Sequence, residues 1–430
     1  MGFTAIFPFK EGGEMIDMAI ERQRDLRYDW LVWGLTFIVI ALGFVWRGSA
    51  TIVACLLSLI GIALSFRKNY FKICWDLYRP WIFAMSILGL AIICRELISG
   101  DPRFRFADSA SRTMLAIPLF VAMCHSARFD LKSARWIFAA AVFLMLIFGY
   151  WNMTHGGDLR IATAFTNTIP YSAFCLLFGT IFFLYSYSLG GWNRVASIVV
   201  IATTYLVLYF SESRGVWAAG VVAALFLFTT VFGFNWKSFA GILLLVFALL
   251  VLSYFCSAIV KYRIDLAVSE YHAFFVGKKD GSVSMRMDMA LASWHIFKMH
   301  PIFGVGRDLP PVMHALYEQG FVGLPVADAA DTHGELFFNA ASLGSVGLLA
   351  YVIFYVGGSY PYWKAAVSGE PELVKIGKIG LVCNVIFFIV GYTHITLGLV
   401  MYASVYATVQ AVLLSTLYKL QYGKASQVSA

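Results

Sequence analysis

Charge is what this sequence has least of. Only 13% of its 430 residues are Asp, Glu, Lys or Arg, against about a quarter in a soluble domain. Acids are the scarcer sign, 24 against 32 Lys and Arg, and no D-x-D pair offers the carboxylates that hold a divalent ion on a phosphate. No metal and no cofactor is expected, because a Gly-rich P-loop, a G-x-S-x-G elbow and an H-E-x-x-H helix are missing as well. The seven cysteines lie mostly inside apolar runs, with neither metal-ligand spacing nor a disulfide framework. The basic residues form no stripe, so nucleic acid is not an expected partner. The start, Met1 to Asp29, is charged and has no small-residue cleavage site. It reads as a cytosolic leader helix and not as a signal peptide.

Apolar residues fill the space that charge leaves. The chain is 60% hydrophobic and 17% aromatic, which fits an all-α polytopic membrane protein embedded in a phospholipid bilayer. At about 20 residues per crossing, the apolar runs predict about twelve transmembrane helices. They lie at Trp30–Trp46, Ala50–Phe66, Pro80–Ile98, Thr113–His125, Trp136–Trp151 and Ile169–Ser188, then at Val195–Phe210, Gly215–Phe232, Phe239–Ile259, Leu336–Val356, Val374–Tyr392 and Leu397–Leu417. The fourth is short and contains Pro118. With the N-terminus inside, every cytosolic loop is basic, from Arg67, Lys68 and Lys72 through Arg128, Lys132 and Arg135 to Lys419 and Lys424. Both termini are therefore placed in the cytoplasm. This gives nine transmembrane helices over 1–260, a large external loop over 261–332, and three further helices over 333–430.

The external side holds cations that topology selection disfavours: Arg103, Arg105, Arg112, Arg160, Arg214, Lys261, Arg263, Arg286 and Arg307. Arg214 is the sharpest case, in the tight corner Ser211-Glu212-Ser213-Arg214 between two long apolar runs. An arginine near mid-membrane costs about 3 kcal/mol on insertion scales. It either snorkels to lipid phosphates or faces inward as an anion ligand. Guanidinium forks bind phosphate oxygens bidentately and keep their charge. In the long loop, Met285, Met289, Ala292 and Ile296 share one face of a helix begun near Ser284. Such a helix can lie flat on a bilayer with its charges in water. His333 stands just before an apolar helix and as a neutral imidazole could take a proton from a sugar hydroxyl. His272, His295, His300, His314 and His394 are rivals on the same side. Arg95-Glu96, late in the third run, reads either as an ion pair at a helix end or as the mark of a transport pathway. No inverted repeat supports transport.

Three short motifs occur in order on that side. Ser213-Arg214-Gly215 heads a membrane helix. Arg286 is followed by Trp294 and by His300-Pro301-Ile302-Phe303-Gly304-Val305-Gly306. Thr332-His333 is followed by Leu336, Gly344 and Gly347-Leu348-Leu349. Together they resemble the O-antigen ligase and polymerase superfamily over about a third of the chain, from Ser211 to Leu349. Phe165-Thr166-Asn167 resembles a further family element more loosely. Gly334 departs from the pattern, where many relatives carry an amide or other polar residue.

The resemblance implies a GT-C-type glycosyltransferase of the Gram-negative inner membrane with its active site facing the periplasm. The donor would be a glycan on undecaprenyl diphosphate. A ligase would transfer it to lipid A–core oligosaccharide in lipopolysaccharide synthesis. A polymerase would extend another carrier-linked repeat, and a protein O-oligosaccharyltransferase would modify protein. Ligase is favoured by analogy of length and by the lack of an extra C-terminal domain. In this reading Arg214 and Arg286 bind the diphosphate and His333 activates the acceptor, without metal and with inversion. Arg160, Arg263 and Asn167 are candidate ligands of the diphosphate or of a core phosphate. The competing class is a transporter of lipid-linked glycan.

Overall fold

The computed structural model describes residues 26–422, except 69, 101–106, 158, 234, 278, 280 and 330. Residues 1–25 of the expected leader, Arg103, Arg105 and Lys424 therefore lie outside the described residues, as does the side chain of Arg307. All regular structure among the described residues is helical. In chain order the longer helices are α1 (Leu26–Phe37), α2 (Ser49–Lys68), α3 (Tyr70–Ile98), α4 (Ala116–His125) and α5 (Leu131–His155). Then come α6 (Thr168–Ser186), α7 (Gly191–Ser211), α8 (Arg214–Phe232), α9 (Trp236–Cys256) and α10 (Ala258–Phe275). The last are α11 (Ser282–Met299), α12 (Leu309–Glu318), α13 (Glu335–Ala366), α14 (Pro371–Thr393) and α15 (Val400–Tyr422).

Ten of these are long and apolar enough to cross a membrane, two fewer than the twelve expected runs. The first run falls short because α1 passes into a π turn at Ile38–Leu42 and the chain then turns at Gly48 (φ +83°). The fourth falls short because of Pro118. A proline lacks the N–H that a helix interior needs but fits a first turn. So α4 begins only at Ala116, and Arg112–Leu115 before it winds as a tighter 3₁₀ turn. In α3, Tyr78 leaves helical geometry (φ −131°) two residues before Pro80, and the helix kinks there.

The bundle is layered. In α6, 94% of the membrane-length window is buried, and in α15, 89%; in α9 it is only 6%, so α9 stands at the periphery. A polar network crosses the apolar interior. Asn384 Oδ1 accepts from Tyr406 Oη (2.8 Å) and Gln410 Nε2 (2.7 Å), while its Nδ2 donates to Ser359 Oγ (2.9 Å). Such bonds tie α13, α14 and α15 where no water competes.

The segment 261–332 is more structured than a loop. It folds as α10, α11 and α12 with a small core of its own. Met289, Ala292 and Ile296 of α11 pack with Leu309, Met313 and Leu316 of α12 and with Ala341 of α13. The apolar face of α11 is thus spent on protein, which corrects the expectation of a helix lying on the bilayer. One turn before Ala292, buried Asp288 pairs with Lys279 (2.7 Å) and accepts from Gly323 N (2.6 Å).

Candidate functional site

The C-termini of α3, α5, α7, α9 and α14 and the N-termini of α6, α8, α13 and α15 fall at one end of the bundle, as the order of connections requires. All the candidate residues lie at that end. Two glycines of the sequence motifs hold it together by being small. A Cβ on Gly304 would lie 2.3 Å from Ser342 C, and one on Gly344 would lie 2.6 Å from Ile302 C. Gly344 (φ +62°) breaks α13, and the turn after α11 fills the break. Ser345 N and Val346 N donate to Pro301 O (2.8 Å) and Ile302 O (3.2 Å), and Val305 N donates to Ala341 O (3.0 Å). Arg95 fastens the same turn from α3, with Nε 3.0 Å from Phe303 O. That is a structural use for a cation read as half of an ion pair or of a transport path. The turn sets where α11, and hence Arg286, stands against α13.

Gly215 plays a similar part. A Cβ there would meet Thr393 Oγ1 at 2.4 Å, so only glycine lets α8 close on the end of α14. That approach brings Arg214 beside the residues that follow Thr393. Gly334, the departure from the family pattern, lies against the Tyr392 carbonyl, 2.9 Å from where a Cβ would be.

Four arginines converge at this end. Arg214 Nη2 lies 3.5 Å from Glu270 Oε2, and its Nη1 donates to Arg263 O (3.3 Å). Arg263 Nε donates to Glu212 Oε2 (2.9 Å). Glu270 continues the chain of contacts. It accepts from Ser282 N (3.1 Å) and Val283 N (2.9 Å) at the start of α11. One turn on, Arg286 Nη1 donates to Ser282 Oγ (3.1 Å), while its Nε is buried with no hydrogen-bond partner among the described residues. A buried guanidinium N–H without an acceptor is uncommon and calls for explanation. Burial, followed by the nearby charge of Arg214, lowers the basicity of Arg286. Burial and the charge of Arg263 do the same for Arg160. Guanidinium remains cationic through such shifts. Mutual repulsion among these groups therefore persists, eased by Glu270 and Glu212.

Arg160 reaches the cluster through its loop, because Ile161 N donates to Phe210 O at the end of α7 (3.2 Å). Asn167 has a structural duty: its Oδ1 accepts from Ile169 N (3.0 Å) and caps α6.

His333 sits at φ +51°, a left-handed conformation uncommon outside glycine. Asp331 holds it there by accepting His333 N (2.7 Å). The same Oδ1 lies 2.8 Å from His333 Nδ1, close but not aligned as a hydrogen bond. Burial pushes the Asp331 carboxyl up, but the close His333 imidazole and the His333 backbone N–H together outweigh that and hold it below the ordinary carboxylate range. The other non-glycine residue at positive φ among the described residues is Glu212 (φ +50°), the partner of Arg263. Backbone strain of this kind collects at functional sites.

His394 ends α14, with its ring centroid 6.0 Å from that of His333. It is buried, its Nε2 has no hydrogen-bond partner among the described residues, and burial above all lowers its pKa to about 4. Between His394 and α3 lies a cavity of about 320 Å³. Asp331, Glu335, Asn339 and His394 line its polar side and Leu88, Ile92 and Phe338 its apolar side. Glu335 closes it from below by accepting the N–H groups of Thr396 (2.7 Å), Leu397 and Gly398 (3.3 Å).

Arg160, Arg214, Arg263, Arg286 and His333 thus share one end of the bundle. Glu270, Asp331 and His394 were not singled out among the candidate site residues. Asp331 had a signal, since an Asx acceptor two residues ahead of His333 is a local turn device. Glu270 had none, because its partners are 56 and 12 residues away.

These features define a polytopic membrane protein with a cation-rich, histidine-bearing site at its helix ends. Residues 196–352 match the family model described as O-antigen ligase, and that match supports an O-antigen ligase-superfamily member. The match runs from α7 into α13. It takes in Arg214, Arg263, Glu270, Arg286 and His333 and leaves Arg160, Asn167 and His394 outside. Superfamily members are glycosyltransferase-like ligases and polymerases. A search of curated proteins finds no match for the chain.

Proposed function

We propose that the chain is an O-antigen ligase of the GT-C type. It transfers polysaccharide from undecaprenyl diphosphate to lipid A–core oligosaccharide at the periplasmic face of a Gram-negative inner membrane, with both termini in the cytoplasm. The observation that carries this reading is the bridge Arg214–Glu270–α11–Arg286, which ends in a buried guanidinium nitrogen without an acceptor among the described residues. Two guanidinium groups linked in this way suit the two phosphates of a lipid carrier.

In the reaction, Arg214 and Arg286 bind the diphosphate and stabilise the charge that grows on it as the glycosidic bond breaks. His333, turned by Asp331, accepts the proton of the acceptor hydroxyl. The hydroxyl oxygen attacks the anomeric carbon from the side opposite the diphosphate, so the centre inverts. Arg160 and Arg263 add charge at the edge of the diphosphate or meet a core phosphate. The cavity beside His394 gives the acceptor sugar polar groups on one wall and Phe338 on another.

The test is reconstitution of the purified protein with carrier-linked glycan and lipid A–core, with and without EDTA. Joining of the two lipids in both conditions supports metal-independent ligation. Lengthening of the carrier-linked glycan would reassign the chain to polymerisation. Movement of lipid across liposomes without any transfer would end the enzymatic reading.

A further inference from the structure

Glu270 has no part in the transfer chemistry just described, yet it holds the centre of the anion site. Its carboxylate touches the Arg214 guanidinium at 3.5 Å and the first two N–H groups of α11 at 3.1 and 2.9 Å. It also lies close enough to Arg286 to oppose the fall in that residue's basicity. The seat is built for it. A Cβ on Gly281 would come within 2.6 Å of Glu270 Cγ and 2.9 Å of Cδ, so glycine there leaves the carboxylate room. The arginine cluster holds four guanidinium groups, Arg160, Arg214, Arg263 and Arg286, and faces two carboxylates, Glu212 and Glu270. Two positive charges are left over.

Transfer changes the charge of the lipid. The bond from the anomeric carbon to the phosphate oxygen breaks, and its electron pair stays on that oxygen. The new bond joins the anomeric carbon to the acceptor oxygen, and the acceptor proton goes to the base. A diphosphate diester with about two negative charges becomes a terminal diphosphate with nearly three, its last ionisation lying near pH 6 as in other phosphate monoesters. A site with two unmatched positive charges suits the diester. A site with three would hold the product.

Resting on the reading of the cluster as a diphosphate site, we propose that Glu270 is a specificity-determining residue. It keeps the site matched to the diphosphate diester of the donor and against the terminal diphosphate left on the carrier. Its removal traps product.

The experiment measures binding of farnesyl diphosphate, and of a farnesyl diphosphate esterified with one hexose, to the full-length protein in detergent. Wild type should prefer the ester. E270Q keeps the size and an acceptor for the α11 N–H groups but loses the charge. It should strengthen farnesyl diphosphate binding by on the order of tenfold relative to the ester, as expected for deleting one nearby like charge. In transfer assays the later turnovers of the same variant should slow relative to its own first one by more than they do in wild type. An unchanged ratio of the two affinities, or an equal loss of both, overturns the role of Glu270 and leaves the diphosphate site standing. If wild type binds neither lipid, the diphosphate site itself falls. Should E270Q not fold, Gly281→Ala, which crowds Glu270 out of its seat, is read by the same ratio.

Discussion

Gly304 packs directly on Ser342, backbone on backbone, at the point where Gly344 breaks α13. The turn from Pro301 to Val305 supplies the hydrogen bonds that the broken helix lacks. Both glycines have positive φ, +60° and +62°, so alanine at either is strained by conformation and clashes as well. Conformational strain alone costs about 1–3 kcal/mol. Gly304→Ala and Gly344→Ala should each lower the yield of monodisperse protein and its melting midpoint. The double substitution should add little to the worse single one, since both open the same joint. Size-exclusion profiles and thermal melts in detergent check this.

Arg214 and Arg286 belong to different helices, linked through Glu270 and the start of α11. If each binds a phosphate through a planar fork, lysine cannot replace it, because ammonium offers a point charge with other geometry. Arg214→Lys and Arg286→Lys should each cut transfer by about two orders of magnitude, the scale of one oxyanion-stabilising group, while protein level stays unchanged. Activity within about threefold of wild type in both variants would exclude a bidentate clamp.

Asp331 acts on His333 in two ways, through the backbone N–H and through the charge beside Nδ1. Asp331→Asn separates them. The amide oxygen still accepts the His333 N–H and keeps the left-handed turn, but the charge is gone. Transfer should fall at least tenfold, and donor binding should be unaffected, if the carboxylate supports a general base worth about 10²–10⁴ in rate. Asp331→Ala loses the turn as well and should be worse. Equal rates for Asp331→Asn and wild type would leave Asp331 with a backbone role alone.

The sequence was informative where a side chain's environment follows from its own neighbours. Ten of the apolar runs are membrane-length helices, because twenty apolar residues have few other places to go. Arg214 stood out because its short loop made a cation there costly. The runs around α1 and α4 do not form single membrane-length helices, since hydropathy does not register a π turn or a proline in the first turn. The α11 face was legible as apolar, but what it covers depends on α12 and on Ala341, distant in sequence. Glu270 was hidden for the same reason, and His394 stood only as one of several rival histidines. Each acquires its role from groups brought close only by packing, such as Gly215 against Thr393.

His394 makes stability depend on pH in a direction that can be worked out. Burial is the largest cause of its lowered pKa, with the charges of His333 and Arg286 acting the same way and Asp331 opposing them. In the folded protein it titrates at about 4, against 6.5 for an ordinary histidine. Above pH 6.5 the ring is neutral in both states and has no effect. As pH falls below that, the unfolded chain takes up a proton that the folded protein refuses, and stability declines. The decline ends near pH 4, where the folded state protonates as well, after a loss of roughly 3 kcal/mol. Carboxylates elsewhere contribute their own acid sensitivity, so the informative quantity is a difference. His394→Phe keeps an aromatic ring of similar size and cannot titrate. Its melting midpoint in detergent should fall less steeply than that of wild type between pH 6.5 and 4. Parallel curves for the two proteins would mean that the buried imidazole is not held neutral.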